Sequence, residues 1–313
     1  MKAIVLNGIG DTSVLKMANL PLPEIGNDEV LVQVKAISIN PVDVKTRSGS
    51  GIYPVLKNEV PIILGWDLAG IIIKKGKDVS HFSINDEVFG MVNFPGHGKT
   101  YAEYVSVPAS HLAKKPVNIS FEEAAATTLA ALTAYQALFI KGNIQKSDKV
   151  LIHAAAGGVG HFAVQFSRYA GAYVVGTSSS KNREFVLSLG ADEQVDYKGT
   201  ELEDKINGVT LCLDTIGGDN IRRSLKRMSP GGTLISIPSG KNESVEAEAK
   251  EFDVHGTVFR VVSNGNDMKV LASLLEQGII KAKIAEVFPF EQMRQAHQQL
   301  ESSRTAGKIV VVL

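Results

Sequence analysis

Lys149-Val150-Leu151-Ile152-His153-Ala154-Ala155-Ala156-Gly157-Gly158-Val159-Gly160 is the stretch whose reading decides the fold. The run ending at His153 is short and apolar, which predicts a buried strand. Ala155-x-Gly157-x-x-Gly160 follows, a G-x-G-x-x-G pattern with Ala in first place. Beyond it, Val159, Phe162, Ala163, Phe166 and Ala170 recur at helical spacing, with His161, Gln165 and Arg168 on another face. The glycine pattern alone is weak. Strand before and helix after give it meaning. Glycines let the backbone turn tightly and approach a pyrophosphate. The helix N-terminus then offers unpaired N–H groups and the positive dipole end to that anion. Ala156, Gly157, Gly158, Val159 and Gly160 are therefore candidate contacts of a dinucleotide. The bland alternative is a glycine-rich turn that binds nothing.

The next strand, Ala172–Gly176, bears on which dinucleotide. NAD-binding chains place an acid about 20 residues past the loop, on the ribose hydroxyls. Here the strand runs out into Thr177-Ser178-Ser179-Ser180-Lys181-Asn182-Arg183, with hydroxyls and cations and no acid. A carboxylate would repel a 2′-phosphate, whereas Ser178, Ser179 and Lys181 would bond it. The expected cofactor is NADPH. The alternative is that these residues merely cap the following helix.

Outward from the loop, strands and helices alternate. Strands are predicted at Val150–His153, Ala172–Gly176, Glu193–Asp196, Val209–Asp214 and Thr233–Ile237, a rhythm that argues for a doubly wound parallel sheet. Ser120-Phe121-Glu122-Glu123 reads as a capping box opening an Ala-rich helix that ends near Phe139. Upstream, short apolar runs at Ala3–Leu6, Val30–Ile39, Leu68–Ile73, Glu87–Val92 and Ala102–Val107 predict a β-rich unit. Eight of the 11 prolines fall there, as edges and turns require. Downstream, Val254–Val262 reads as a strand, Asp267–Gln277 and Phe290–Leu300 as helices, and Lys308–Val312 as a strand too apolar to be a loose tail. The expected fold class is α/β with three segments, 1–119, 120–260 and 261–313.

Composition excludes several classes. Lys+Arg and Asp+Glu are 33 each, so no global field draws the chain to nucleic acid. The one cysteine, Cys212, allows no intrachain disulfide, and it lies in an apolar run where a buried thiol is expected. No run reaches the ~18 apolar residues of a membrane span. Cytoplasm is the expected compartment. The seven histidines show no paired spacing for a metal. His153, ending its strand, reads as packed rather than catalytic.

Gly157-Gly158-Val159-Gly160 with Gln165, Arg168, Ser147-Asp148 and Leu151 resembles the quinone oxidoreductase (ζ-crystallin-like) signature. The whole chain resembles the medium-chain dehydrogenase/reductase superfamily, through Asn40-Pro41-Val42-Asp43, Pro61 to Gly70, Ala102-Glu103-Tyr104, Gly190-Ala191-Asp192 and Gly307-Lys308-Ile309-Val310. Asp86-Glu87-Val88 fits as well, although Asn85 replaces the family's Gly. The resemblance implies a GroES-like substrate domain at 1–119, a Rossmann NADPH domain at 120–260, and a segment 261–313 that returns to complete the first domain. It also implies a cleft between the domains for nicotinamide and substrate.

The same resemblance puts Asn40 where zinc-dependent relatives carry a Cys ligand, and Trp66 where they carry a His. A zinc-free enzyme is expected. Without a Lewis acid, alcohol oxidation is hard. Hydride transfer to a quinone or to the C=C of an α,β-unsaturated carbonyl needs only orientation and donors at the oxygen. Asn40 and Tyr53 are the candidate catalytic residues. The competing readings are a turn-former before Pro41 and a loop-packing tyrosine. Lys45 either reaches phosphate or substrate or is solvated. Thr133 either lies beside the nicotinamide amide or bonds its own helix. Tyr197 either touches the adenosine phosphate or is simply exposed. Ile216, Ile237, Phe259 and Arg260 follow parallel strands, whose carboxyl ends line the cofactor crevice. An enoyl-thioester reductase and an NADPH-binding protein with little turnover remain alternatives. A small-molecule quinone or enone substrate and a homodimer are expected, with no nucleic-acid or membrane partner.

Overall fold

The computed structural model describes residues 1–198, 206–302 and 304–313, and these fall into two compact units. The first combines Met1–Leu132 with Val261–Leu313; the second is Thr133–Arg260.

The first unit begins with β1 (Lys2–Leu6), β2 (Leu15–Asn19) and the long β3 (Glu29–Ile39). Two short helices follow, α1 (Pro41–Arg47) and α2 (Tyr53–Leu56), each with a proline in its first turn. Proline there loses no hydrogen bond, because the first N–H groups of a helix have no intrahelical acceptor. Next come β4 (Ile62–Ile63), β5 (Asp67–Lys75), β6 (Glu87–Met91), β7 (Tyr104–Pro108) and β8 (Leu112–Lys114). Helix α3 (Phe121–Tyr135) starts at the expected capping box: Ser120 N–H donates to Glu123 Oε2 at 2.9 Å, and Glu123 N–H to Ser120 Oγ at 3.1 Å. A π-helical turn, Gln136–Lys141, continues it.

The second unit holds β9 (Lys149–Ile152), α4 (Gly160–Tyr169), β10 (Tyr173–Ser178), α5 (Arg183–Ser188), β11 (Glu193–Asp196) and β12 (Val209–Asp214). It ends with α6 (Asp219–Leu225), β13 (Met228–Ser236), α7 (Val245–Lys250) and β14 (His255–Val258). Its six strands run parallel in the order β11-β10-β9-β12-β13-β14. Val175, Leu151, Cys212 and Leu234 lie in register across four neighbouring strands and are buried against Ile221 and Leu225 of α6 and Val245 and Ala249 of α7. Each such side chain contributes about 1.5–3 kcal/mol on burial. Cys212 is one of this row and is fully buried. The sixth strand is shorter than the expected Val254–Val262. It pairs with β13 in a register that ends at Ser236↔Val258, and Phe259 N–H makes the last bond to Ser236 O at 2.9 Å.

The chain then returns to the first unit with α8 (Gly265–Glu276), β15 (Ile284–Pro289), α9 (Met293–Glu301) and β16 (Lys308–Val312). Strand β16 pairs antiparallel with β3, Ile309 opposite Ile39, and parallel with β15. That pairing buries the apolar final strand and carries Lys308 to the start of α1.

Candidate active site

The cofactor loop is built by close backbone approach. Ala154 has a left-handed φ of 47°, and its carbonyl accepts from Gly157 N–H at 2.8 Å. A Cβ on Gly160 would lie 2.1 Å from the same carbonyl oxygen, so only glycine lets α4 start there. Ala155 N–H donates to the Thr177 carbonyl at 2.8 Å, and a Cβ on Gly176 would meet Ala155 Cβ at 2.8 Å. The loop is therefore clamped against β10. Gly157, Gly158 and Val159 stay partly exposed, while Ala156 and Gly160 are buried. In the first turn of α4, His161 N–H donates to Gly157 O at 3.1 Å and Ala163 N–H to Val159 O at 3.0 Å, so a pyrophosphate would meet the helix's positive end at the partly exposed Gly157–Val159 turn.

On the second face of α4, His161 and Gln165 are buried. The helix is covered all round from Gly160 to Ser167. Two of its polar side chains bond backbone carbonyls close by. Gly157 O and His161 Nδ1 are 2.8 Å apart, and Gln165 Nε2 donates to His161 O at 2.9 Å.

Past β10, Ser178 is held by Gln194, whose Nε2 donates to its carbonyl and hydroxyl oxygens at 3.1 Å. Ser179 Oγ accepts from Asn182 Nδ2 at 3.3 Å, and Lys181 is exposed. The sequence reading missed Asp196. That residue sits at the end of β11 opposite Ser178, and its Oδ2 accepts from Ser180 N–H at 3.0 Å. Its Oδ1 accepts from Lys198 N–H at 2.9 Å. These backbone donors, Lys198 first, hold its pKa below the usual carboxylate range. An acid thus stands beside the Ser179–Lys181 segment after all, carried there by the next strand. Tyr197 is exposed; Ile216 and Arg260 are exposed, and Ile237 and Phe259 half-buried. Thr133 is buried. Strand ends bring Ile216, Ile237 and Phe259 to the carboxyl side of β12, β13 and β14.

In the first unit Asn40 precedes α1 and is 2% exposed. Its Nδ2 donates to Asp67 Oδ2 at 2.7 Å, and its Oδ1 accepts from Lys308 Nζ. Lys308 Nζ also donates to Ile39 O at 3.2 Å and lies 3.7 Å from Asp67 Oδ2. Burial lowers the Lys308 pKa, against the pull of Asp67 and Asp43. Asp67 Oδ1 is held by Leu129 N–H at 2.8 Å. Asn40 N–H donates to Asp43 Oδ2 at 2.6 Å. Burial pushes the Asp43 carboxyl up to about 7, against the opposing Asn40 hydrogen bond. Tyr53 opens α2 and is half-buried, and Lys45 is half-buried in α1. Trp66 is fully buried, donates from Nε1 to Gly96 O at 2.7 Å and meets Phe94 edge-on. Asp43, Asp67 and Lys308 stand in stretches that carry the family resemblance but were not named as site residues; a charge in the otherwise apolar strand at Lys308 was a further signal.

Residues 26–117 match a family model described as alcohol dehydrogenase GroES-like domain, and residues 189–311 one described as zinc-binding dehydrogenase. The chain is 32% identical to an NADPH-dependent alkenal/one oxidoreductase of Arabidopsis thaliana over 99% of its own length and 79% of that protein. The quinone oxidoreductase of Coxiella burnetii superposes with a TM-score of 0.95 at 35% identity, covering 100% of this chain and 99% of that one. The Escherichia coli quinone oxidoreductase, solved in complex with NADPH, gives 0.88 at 28% identity over 100% of both chains. With that similarity added to a parallel six-stranded unit and its glycine loop, the chain belongs to the quinone oxidoreductase family of the medium-chain dehydrogenases/reductases and is an oxidoreductase.

Proposed function

We propose that the protein reduces quinones or the C=C bond of α,β-unsaturated carbonyls, using NADPH and no metal ion. The observation that carries this reading is the loop clamped between Ala154 and Gly160, with Ser178, Ser179 and Lys181 one strand away. In it, the α4 N-terminus holds the pyrophosphate, while Lys181 and the serine hydroxyls take the 2′-phosphate. Tyr197, Thr133, Ile216, Ile237, Phe259, Arg260 and Lys45 are assigned to the cofactor's contacts. Bound NADPH supplies a hydride. Tyr53 and the remaining Asn40 amide hydrogen orient the acceptor's oxygen, where charge develops. Metal independence is supported by the amide at Asn40 and the indole at Trp66, neither a ligand that zinc favours. Among the described residues no cluster of three or more His, Cys, Asp or Glu could hold a metal ion.

No helix of the described residues is long and apolar enough to cross a membrane. The single buried Cys212 fits a reducing compartment such as the cytoplasm. A homodimer through the outer edge of β14, with Val258 and Val262 about half exposed, completes the reading. Steady-state NADPH oxidation against a quinone and an enone panel, with and without a chelator, tests the function. Turnover with either class that survives chelation is expected. Tight NADPH binding with no turnover on either panel overturns the reductase reading.

A further inference from the structure

Behind the glycine loop of the second unit, a buried chain of hydrogen bonds ends on the loop's first residue. Ala154 has a left-handed φ of 47°, a conformation that a residue with a Cβ adopts only when its surroundings hold it there. Its N–H donates to Thr177 Oγ1 at 3.3 Å. Thr177 Oγ1 lies 3.1 Å from His153 Nδ1, and His153 Nε2 lies 2.8 Å from Ser224 Oγ. Ser224 Oγ in turn donates to Asn220 O at 2.6 Å, inside α6. Thr177, His153 and Ser224 are all buried, so each of their polar atoms needs a partner within the protein.

The geometry dictates which way each hydrogen points. A serine hydroxyl has one hydrogen, and Ser224 spends it on the Asn220 carbonyl. Cys212 lies beside the same hydroxyl, but a thiol sulfur is too weak an acceptor to draw that hydrogen from a carbonyl. Ser224 Oγ therefore accepts from His153, and the ring carries its proton on Nε2. Burial keeps the ring neutral, so Nδ1 is bare and accepts from the Thr177 hydroxyl. Thr177 Oγ1, its own hydrogen spent, offers a lone pair to Ala154 N–H. Every hydrogen in the chain then has one acceptor. The opposite tautomer would set the bare Nε2 against a Ser224 oxygen with no hydrogen to give, at the cost of an unmade buried bond.

The far end of the chain is itself fixed. Asn220 Nδ2 donates to Asp214 Oδ1 at 2.9 Å, and the same buried carboxylate accepts from Ile216 N–H, Gly217 N–H and Ser236 Oγ. The His153 backbone is tied as firmly: its N–H donates to Leu213 O at 3.1 Å, and its carbonyl accepts from Thr215 Oγ1 at 2.9 Å. His153 is thus held at its backbone and at both ring nitrogens, and only the Thr177 hydroxyl carries that order on to the loop. We propose that His153 is a positioning residue of the cofactor loop: its Nε2–H tautomer, fixed by Ser224, aims the Thr177 hydroxyl so that it holds Ala154 in the left-handed conformation from which the Gly157–Gly160 turn starts. The effect on cofactor binding rests on the NADPH reading of the loop; the tautomer does not.

The test uses the full chain. With ¹⁵N-labelled histidine, the ring resonances that vanish in His153→Leu should show a protonated Nε2 and a bare Nδ1 near neutral pH. Thr177→Val keeps the shape and removes the hydroxyl; it should weaken NADPH binding about tenfold and raise the KM for NADPH alike, with kcat within about twofold of the parent. Thr177→Ser restores the hydroxyl and should bind within about twofold of the parent. His153→Leu leaves Thr177 present but unaimed and should lose roughly 3- to 5-fold. The double variant should lose no more than Thr177→Val alone, because both changes break one chain. Val245→Ala, a core truncation under α7, should lower stability and leave the NADPH Kd unchanged. The opposite tautomer, parent-like binding in Thr177→Val, no rescue by serine, losses that multiply in the double variant, or an equal loss in Val245→Ala each overturns the proposal. A parent that binds no NADPH overturns the NADPH reading instead, because the tautomer is read without nucleotide.

Discussion

Gly160 and Ala154 stand so close that any Cβ at position 160 would lie 2.1 Å from the Ala154 carbonyl oxygen. Gly157, facing the same oxygen, would keep 3.1 Å. The two glycines of one motif therefore carry different loads. Gly160→Ala should destabilise the fold by about 1–3 kcal/mol, the usual range for forced overpacking. It should also weaken NADPH binding more than tenfold, since the displaced backbone is the proposed anion site. Gly157→Ala should cost less in both. Urea denaturation and NADPH fluorescence titration of the two variants check the order.

The strand–loop–helix of the second unit was legible because its signal is local. An apolar run, three spaced small residues and a helical stripe fit within the stretch from Lys149 to Ala170. Helices α1 and α2 were not legible: Pro41 and Pro54 read as turn punctuation, although proline is equally at home in a helix's first turn. The helical spacing separated His161 and Gln165 from the apolar stripe but could not show that both are buried, with hydrogen bonds to Gly157 O and His161 O. The polar cluster around Asn40 was hidden by distance along the chain. Asn40 and Lys308 are 268 residues apart, and only the pairing of β16 with β3 joins them. Asp196 was hidden for the same reason, one strand beyond the window searched for an acid.

That carboxylate bears directly on cofactor choice. Asp196 accepts from Ser180 N–H, so it shapes the segment that is proposed to take the 2′-phosphate while adding a negative charge beside it. Asp196→Asn keeps an acceptor oxygen and removes the charge. The preference for NADPH over NADH should rise by roughly 2- to 5-fold, a modest effect because the group is solvent-screened. Lys181→Ala should lower the same preference by about tenfold. Kd values for both nucleotides, measured in low salt, decide it. A loss shared equally by NADPH and NADH in Lys181→Ala would place the 2′-phosphate elsewhere.

Lys308 is buried with Asp67 and Asn40 as its side-chain neighbours. Lys308→Met fits the stem but removes the ammonium, leaving Asp67 ionised and buried. Breaking one side of a buried pair costs about 3–5 kcal/mol. The double variant Lys308→Met with Asp67→Asn should recover most of that loss, because no uncompensated charge remains. Chemical denaturation of the single and double variants gives the coupling. A single variant as stable as the parent would mean that water, not Lys308, satisfies Asp67.

Buried groups set how stability depends on pH between about 4.5 and 6.5, and His111, lowered by burial as well, adds to the side of the two histidines that follow. His153 is pushed down to about 4, chiefly by burial between Thr177 and Ser224, and His297 to about 3. Their ordinary value is 6.5. On acidification the unfolded chain therefore binds two protons that the folded chain refuses, and stability falls. Asp43 has the opposite sign. It is folded at about 7 against an ordinary 3.8, so the folded chain takes its proton first and stability rises as pH falls through that range. At least two protons against one leave a net loss that grows from a small value near pH 6.5 to about 1 kcal/mol per pH unit or more below about pH 5.5. Asp43→Asn removes the opposing term, so its loss on acidification should be about twice as steep, while above pH 7 the variant should be the more stable protein. Urea denaturation at half-unit steps from pH 4.5 to 8 reads both slopes. A parent whose stability is flat or rising toward acid would show that the histidines are not held neutral in the folded chain.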